Sequence, residues 1–370
     1  MQRLRHDCCV AAISCFSAFF PMPLPPVSRR AFGALSALSA VAACTSGAWA
    51  YAPGAAARRV TIAVGGQAVL YHLPLTIADR LGFFRDEGLD VTVLDYPGGA
   101  LALRAVQDGV AQVCSVAYEH TLRQQGRGYD YRAFVVQGRA PQQALGVSLR
   151  AVPGYRGPSD LRGRRIGVSA LGSSTHVMAS MLLARAGVDV HTVSFVGVGT
   201  GVAALAALRT GRIHALCHAD PIMALLEQRG EVRLVGDLRT LQATQEVFGG
   251  AMPASCLVAP QSFLHQEPVV AQALVNGIVH ALKWLQTAAP ADLVKAVPAS
   301  YLLGDRAVYL AAFNRVRETF SPNGLMPEDG PATALRALAP SYPGMLGTRA
   351  GLARTFTDDL TRKARQKFGV

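Results

Sequence analysis

From Arg59 onward, short apolar runs rich in β-branched residues alternate with stretches whose apolar positions recur every three to four residues. The first pattern suits buried strands and the second amphipathic helices, so their alternation predicts a parallel α/β architecture. The strand-like runs are Val60–Gly65, Val91–Tyr96, Gln112–Ala117, Arg132–Gln137, Leu145–Leu149, Arg165–Ser169, Val193–Val198, His214–Ala219, Val232–Gly236 and Ser255–Ala259. The helical stretches between them include Leu75–Asp86, Leu101–Asp108, Ser174–Ala186, Val202–Thr210 and Ile222–Arg229. After Pro260 the pattern is helical throughout, with a long helix near Glu267–Thr287 and shorter ones at Arg306–Thr319 and Ala332–Leu338.

A weak repeat points to two lobes of similar build. Gly109, Val113, Ala117 and Tyr118-Glu119 follow Ala105 with the spacing at which Gly211, Ala215, Ala219 and Asp220-Pro221 follow Ala207. Each series reads as a helix, a glycine cap, a strand and a polar residue opening the next helix. Residues 59–148 with 255–345 are expected to form one lobe and 152–245 the other, with 346–370 as a helical tail. Pro153-Gly154 and Gly249-Gly250 mark the expected crossings of a hinge, and a hinge between two open sheets leaves a cleft at the carboxyl ends of their strands.

The first fifty residues read as a targeting segment. Ser28-Arg29-Arg30-Ala31-Phe32 resembles a twin-arginine motif ahead of the Ala-rich run Gly33–Ala43. That run is short of the ~20 residues a membrane span needs. Two processing sites compete, a lipobox ending at Cys44, which would place a lipid anchor there, and the small-x-small site Ala48-Trp49-Ala50. Met22 is an alternative start that would remove Cys8, Cys9 and Cys15. After position 50 only Cys114, Cys217 and Cys256 remain, widely spaced in apolar runs, which suits small buried hydrophobes and no zinc site or disulfide framework. The formal charge of +12 is spread along the chain without basic-aromatic interleaving, so nucleic acid is not an expected partner.

The clearest local signal for a ligand is Val168-Ser169-Ala170-Leu171-Gly172-Ser173-Ser174-Thr175-His176, a strand end, a turn and hydroxyl residues at a helix start. Ser173, Ser174 and Thr175 read equally as an ordinary N-cap or as an anion site built on free N–H groups. Gly197-Val198-Gly199-Thr200-Gly201 repeats the strand-to-helix setting, and its spacing suits a backbone nest better than a dinucleotide fingerprint. Tyr118-Glu119 and Asp220-Pro221 occupy matching turns of the repeat, where Glu119 and Asp220 can accept from a ligand amine or, for Asp220, simply cap a helix. His214 and His218 stand about 13 Å apart along a strand, too far for one metal. No Walker loop, G-x-S-x-G elbow or H-E-x-x-H is present, so no cofactor or catalytic residue is expected.

In these stretches the chain resembles the nitrate/taurine/sulfonate branch of periplasmic substrate-binding proteins, together with their relatives in thiamine pyrimidine metabolism. The resemblance runs through Leu73-Pro74-Leu75, Leu81-Gly82-Phe83-Phe84, Glu87-Gly88-Leu89-Asp90-Val91, Pro97-Gly98-Gly99, Gly172–His176, Gly197–Gly201, Ala219-Asp220-Pro221 and Phe248-Gly249-Gly250. It implies a two-lobed type II periplasmic-binding fold, a monomeric exported receptor, and the permease and ATPase of an ABC importer as partners. It also implies a small ligand, sulfonate- or taurine-like or an amino-heterocycle, held between the lobes by Gln67, Tyr71, Gly98, Gly99, Tyr118, Glu119, Ser173, Ser174, Thr175, Gly199, Thr200 and Asp220. Glu119 and Asp220 would repel a bare anion and favour a ligand with amino groups. Two rival classes share the resemblance. An exported sensor is one, and a pyrimidine-precursor synthase is the other, although the synthase's C-C-C-F-C cluster is absent from this chain.

Overall fold

The computed structural model describes residues 57–339, 342 and 349–370. The export motif, Cys44 and the alternative start at Met22 lie outside the described residues. All ten expected strands form, as β1 (Arg58–Val64), β2 (Leu89–Asp95), β3 (Val113–Ala117), β4 (Tyr131–Val136), β5 (Gln143–Ser148), β6 (Arg165–Val168), β7 (Ser194–Gly197), β8 (Ala215–Ala219), β9 (Val232–Asp237) and β10 (Ser255–Pro260). They make two five-stranded sheets, β2-β1-β3-β10-β4 and β7-β6-β8-β5-β9.

The two orders are the same, a parallel core of three strands followed by one antiparallel strand and then the fourth. β10 runs antiparallel between β3 and β4, and β5 runs antiparallel between β8 and β9. The repeat seen in the sequence therefore maps β3 onto β8, each third in its sheet and each preceded by a left-handed glycine, Gly109 at φ 74° and Gly211 at φ 73°.

Two expectations about organisation change. β5 pairs with β8 and β9, so the chain passes to the second sheet between Val136 and Gln143 and not at Pro153-Gly154. The C-terminal residues are also no separate tail. Helix Asp359–Phe368 docks on the first lobe, where Thr361 Oγ1 donates to the Phe134 carbonyl at 3.0 Å and Lys283 Nζ donates to that of Phe368 at 2.6 Å. The helix expected at Leu75–Asp86 is two, Leu73–Arg80 and Phe83–Asp86, because Gly82 between them adopts φ 81°, a left-handed conformation that ends the first turn run.

Strand interiors and helix stripes fill the cores as the apolar pattern requires. In the first lobe, Leu274, Ile278 and Leu282 of helix Pro268–Thr287 bury against Leu75, Ile77 and Phe84. In the second, Leu205, Leu208 and Leu226 pack with Ile213 and Leu216. Cys114, Cys217 and Cys256 are free and buried, as expected for small apolar fillers.

Gly277 lets the long helix lie directly on Phe84, since a Cβ there would sit 2.5 Å from the ring. Gly277→Ala is expected to overpack this contact and cost about 1–3 kcal/mol, read as a lower midpoint in chemical denaturation with an unchanged slope.

Candidate functional site

The carboxyl ends of the parallel strands of both sheets meet around one small cavity. Its wall takes Gly65 after β1, Val116 and Ala117 at the end of β3, Ser169 after β6, Thr200 after β7, and His218 and Ala219 at the end of β8. Gly99, Ser174 and Thr175 open helices at its rim, and Val69, Tyr71 and His72 come from the loop and short helix after β1. The antiparallel β5 adds its first residue, Gln143, paired opposite Ala219. The enclosed space is about 20 Å³, room for a single water, so a larger ligand enters only when the lobes part.

The lobes touch closely here. Ala100 N–H in the first lobe donates to Ser173 Oγ in the second at 3.0 Å, Leu70 N–H donates to the Asp220 carbonyl at 2.9 Å, and Arg123 Nη1 donates to the Gly172 carbonyl at 2.6 Å. A Cβ on Gly98 would lie 2.6 Å from Ser173 Oγ, and one on Gly66 would lie 2.6 Å from the Thr200 side chain. Two larger grooves, of about 330 and 360 Å³, are lined by Met181, Phe248 and Ala337 and by Ala224 and Val308. Among their polar groups, Arg185 bonds the Glu246 and Val247 carbonyls and Arg315 pairs with Glu227.

The hydroxyl cluster acts differently from a helix cap. Ser173 makes no bond to its own helix, because its oxygen is taken by Ala100 of the other lobe. Thr175 Oγ1 accepts from Ser169 N–H at 2.9 Å and pairs with Ser169 Oγ at 2.8 Å, while Ser174 Oγ accepts from Gln143 Nε2 at 2.9 Å. The backbone N–H groups of Ser174 and Thr175, at the head of a helix of 12 residues, have no partner among the described residues. They add a positive dipole end to a wall of hydroxyls.

No ionised side chain lines the cavity. Burial pushes the His72 pKa down to about 3, and its Nδ1 pairs with Ser115 Oγ at 3.0 Å. Burial also lowers His218, partly offset by the carbonyls of Ala219 and Gly199. Tyr71 stands edge-on to His72 with ring centroids 4.8 Å apart, and burial raises its hydroxyl pKa.

Of the twelve residues singled out in the sequence, Tyr71, Gly99, Ser174, Thr175 and Thr200 line this cavity. Gly98 and Ser173 form the lobe contact just described. The Gly66 and Gln67 N–H groups are held by Asp95 Oδ1 at 3.1 and 2.8 Å, and Gly199 N–H donates to the Ser169 carbonyl, so these turns shape the wall without facing it. Tyr118 turns into the first lobe, where its hydroxyl pairs with Thr355 Oγ1. Glu119 is buried off the cavity, with burial raising its pKa to about 7.

Asp220 also turns away. Its Oδ1 accepts from Ala224 N–H at 2.9 Å and from Arg239 Nη1 at 3.2 Å. Arg239, fully buried, further bonds Asp237 at 2.6 Å and Glu227 at 2.6 Å, and Arg315 of the first lobe reaches Glu227 at 2.9 Å. The two carboxylates expected to repel an anion therefore do not face the site. Sequence reasoning missed Ser169, Gln143 and the cavity role of His218. Ser169 had a signal, its place directly after a strand, whereas Gln143 sits at the start of a strand whose direction only the pairing reveals.

A model of the family described as NMT1/THI5 like matches residues 69–291. The chain belongs to that family. A solved structure from Bordetella bronchiseptica RB50 is similar, at 50% identity and TM-score 0.81, covering 84% of this chain and 98% of that one. The alkanesulfonate-binding protein SsuA from Xanthomonas axonopodis pv. citri, bound to MOPS, shares the fold at 19% identity and TM-score 0.61, with 82% and 100% covered. A 4-amino-5-hydroxymethyl-2-methylpyrimidine phosphate synthase of Schizosaccharomyces pombe is 28% identical over 109 residues, 30% of this chain and 31% of the synthase. The chain thus aligns with less than a third of that enzyme's length. The NMT1/THI5-like resemblance read from the sequence is borne out, and the fold is the two-lobed one of periplasmic binding proteins. No helix among the described residues is long and apolar enough to cross a membrane.

Two outcomes follow from this arrangement. Arg239→Met leaves the buried Asp220 carboxylate without its cation, while Glu227 keeps Arg315, and is expected to cost about 3–5 kcal/mol. Asp220→Asn keeps the cap and two of the Arg239 partners and costs much less. Both leave ligand affinity unchanged, checked by denaturation and titration calorimetry. Glu119, with a folded pKa of about 7 above its ordinary 4.5, holds a proton that the unfolded chain releases. Stability therefore falls as pH rises through the interval between those values, by ~3 kcal/mol in all. Glu119→Gln should remove this slope, seen by comparing both proteins in denaturant at acidic and mildly alkaline pH.

Proposed function

We propose that this chain is the extracytoplasmic solute-binding component of an ABC importer, which holds a small sulfonate-like anion between its lobes and passes it to a permease without altering it. One observation carries the reading. The hydroxyls of Ser169, Ser174, Thr175 and Thr200 and the free N–H groups of Ser174 and Thr175 surround a cavity that no charged side chain enters. Such a wall stabilises negative charge through dipoles and hydrogen bonds rather than through a counter-ion, which suits a strongly acidic anion that stays ionised at every physiological pH.

Support also comes from the two-lobed fold, in which the wall is split between lobes and completed only on closure. The alkanesulfonate-binding protein SsuA, with MOPS bound, has the same fold. The transport role, the export route through Ser28-Arg29-Arg30 and a tether at Cys44 are parts of this proposal. So is the boundary of the lobes, at about 142 and 250, where the chain passes between sheets.

The test is a thermal-shift and calorimetry panel of short alkyl sulfonates, short carboxylates and nitrate. A ligand at a hundred times its Kd should stabilise the protein by roughly 2.7 kcal/mol. Ser174→Ala together with Thr175→Val should weaken that binding about tenfold or more, the loss expected for one charge-assisted hydrogen bond. Indifference to every anion in the panel, or binding that ignores the double substitution, would sink the reading.

A further inference from the structure

Arginines that are spread along the sequence of the second lobe are gathered by the fold at one end of its sheet. Arg150 follows β5, Arg165 opens β6, Arg212 precedes β8, and Arg229 and Arg233 stand on either side of the start of β9. Arg162 joins them from the turn before β6. Because β5 runs against β8 and β9, its last residues lie beside their first ones, Val147 opposite Ala215 and Ser148 opposite Val232. This end is therefore the pole remote from the cavity, whose wall takes the opposite ends of β5, β6 and β8. All six arginines are exposed.

The carboxylates at this pole are engaged elsewhere. Asp160 Oδ2 accepts from the N–H groups of Arg156 and Gly157 at 2.7 and 3.2 Å, and Asp189 Oδ1 accepts from His191 N–H at 2.9 Å. Glu231 is taken by Arg209, the one arginine here that forms an ion pair among the described residues, at 2.7 Å. Arg165 and Arg233 are held by carbonyls, those of Arg212 and Gly211 at 2.6 and 3.0 Å and that of Tyr155 at 3.2 Å, which fixes their guanidinium groups without cancelling their charge. His214 responds to the resulting field, since burial and then the charges of Arg165 and Arg164 lower its pKa. The strands concerned are neighbours in the order β6-β8-β5-β9, so the cations cover a breadth of about 14 Å at ~4.8 Å per strand. A broad cationic face matches a plane of charged headgroups, and guanidinium forks pair bidentately with phosphate oxygens. A nucleic-acid strand would call for aromatic rings to stack on, and Tyr155 at this pole is buried. We propose that the pole of the second lobe remote from the cavity docks on an anionic phospholipid surface, leaving the cavity uncovered.

The experiment is co-sedimentation of the full chain with vesicles of phosphatidylcholine, with and without phosphatidylglycerol. Binding should require phosphatidylglycerol and weaken as added salt shortens the Debye length from about 10 Å at 0.1 M to about 3 Å at 1 M. An arginine close to such a surface contributes about fivefold in affinity. Arg150→Gln, Arg162→Gln, Arg212→Gln and Arg229→Gln combined should therefore lower binding by about a hundredfold or more. Melting curves check that this variant is folded. A control variant, Arg80→Gln, Arg127→Gln, Lys295→Gln and Arg306→Gln, removes the same charge from exposed positions of the first lobe and should bind like the wild type. Equal loss in both variants means that net charge alone is at work and overturns the proposal. So does the absence of binding to phosphatidylglycerol vesicles, or binding that the first variant retains. A single-stranded oligonucleotide bound more tightly than the anionic vesicles, and lost in the first variant, overturns the assignment to lipid. Each of these outcomes leaves the anion panel on the cavity to be decided by its own result.

Discussion

The contact on which the site depends is the approach of two backbones at Gly98 and Ser173. Because Gly98 has no Cβ, the turn Pro97-Gly98-Gly99 can lie against Ser169, Ala170 and Ser173, and Ala100 N–H can reach across to Ser173 Oγ. Gly66 gives the same freedom opposite Thr200. These contacts bring the helix starts at Gly99 and Ser174 to one point, so that a wall made by neither lobe alone closes around the cavity. A single methyl group at either glycine would force the facing side chain of the other lobe to shift.

Charge is handled by exclusion. Arg239, Asp220, Asp237 and Glu227 neutralise one another behind the second lobe's wall, with Arg315 joining from the first lobe. Buried ion pairs of this kind contribute little net stability compared with apolar packing, but removing one member is expensive. Here the arrangement takes a carboxylate at the end of β8 and turns it away from the cavity. Dipoles and hydroxyls then remain as the wall's polar groups, and His72 and His218 stay neutral through burial.

The same fold is compatible with binding and with catalysis, so the chemistry of the wall has to decide between them. The chain is partly similar to a pyrimidine phosphate synthase, but the three described cysteines here are buried in strands, with burial raising their thiol pKa values. Groups of that kind serve as packing, not as nucleophiles or ligands. The wall around the cavity is instead built from hydroxyls, backbone N–H groups and neutral histidines.

Local pattern in the sequence determined the ten strands, nearly every helix, the burial of the cysteines and the hydroxyl turn at Ser173–Thr175, because periodicity and capping chemistry act within a few residues. The family was legible for the same reason, through short turns such as Pro97-Gly98-Gly99 and Gly197–Gly201. What the chain order hid was direction and partnership. Nothing local says that β5 runs antiparallel in the second sheet, and that reversal alone carries Gln143 to the cavity. Nothing near Asp220 announces Arg239, 19 positions away, which turns the carboxylate from candidate ligand contact into a buried ion pair. Tyr118 likewise looked like a cleft aromatic until Thr355, 237 positions on, was seen to hold its hydroxyl inside the first lobe. Where a side chain has two stable uses, the choice falls to the partner brought by tertiary folding, since burial makes an unpaired polar group too costly to leave pointing either way.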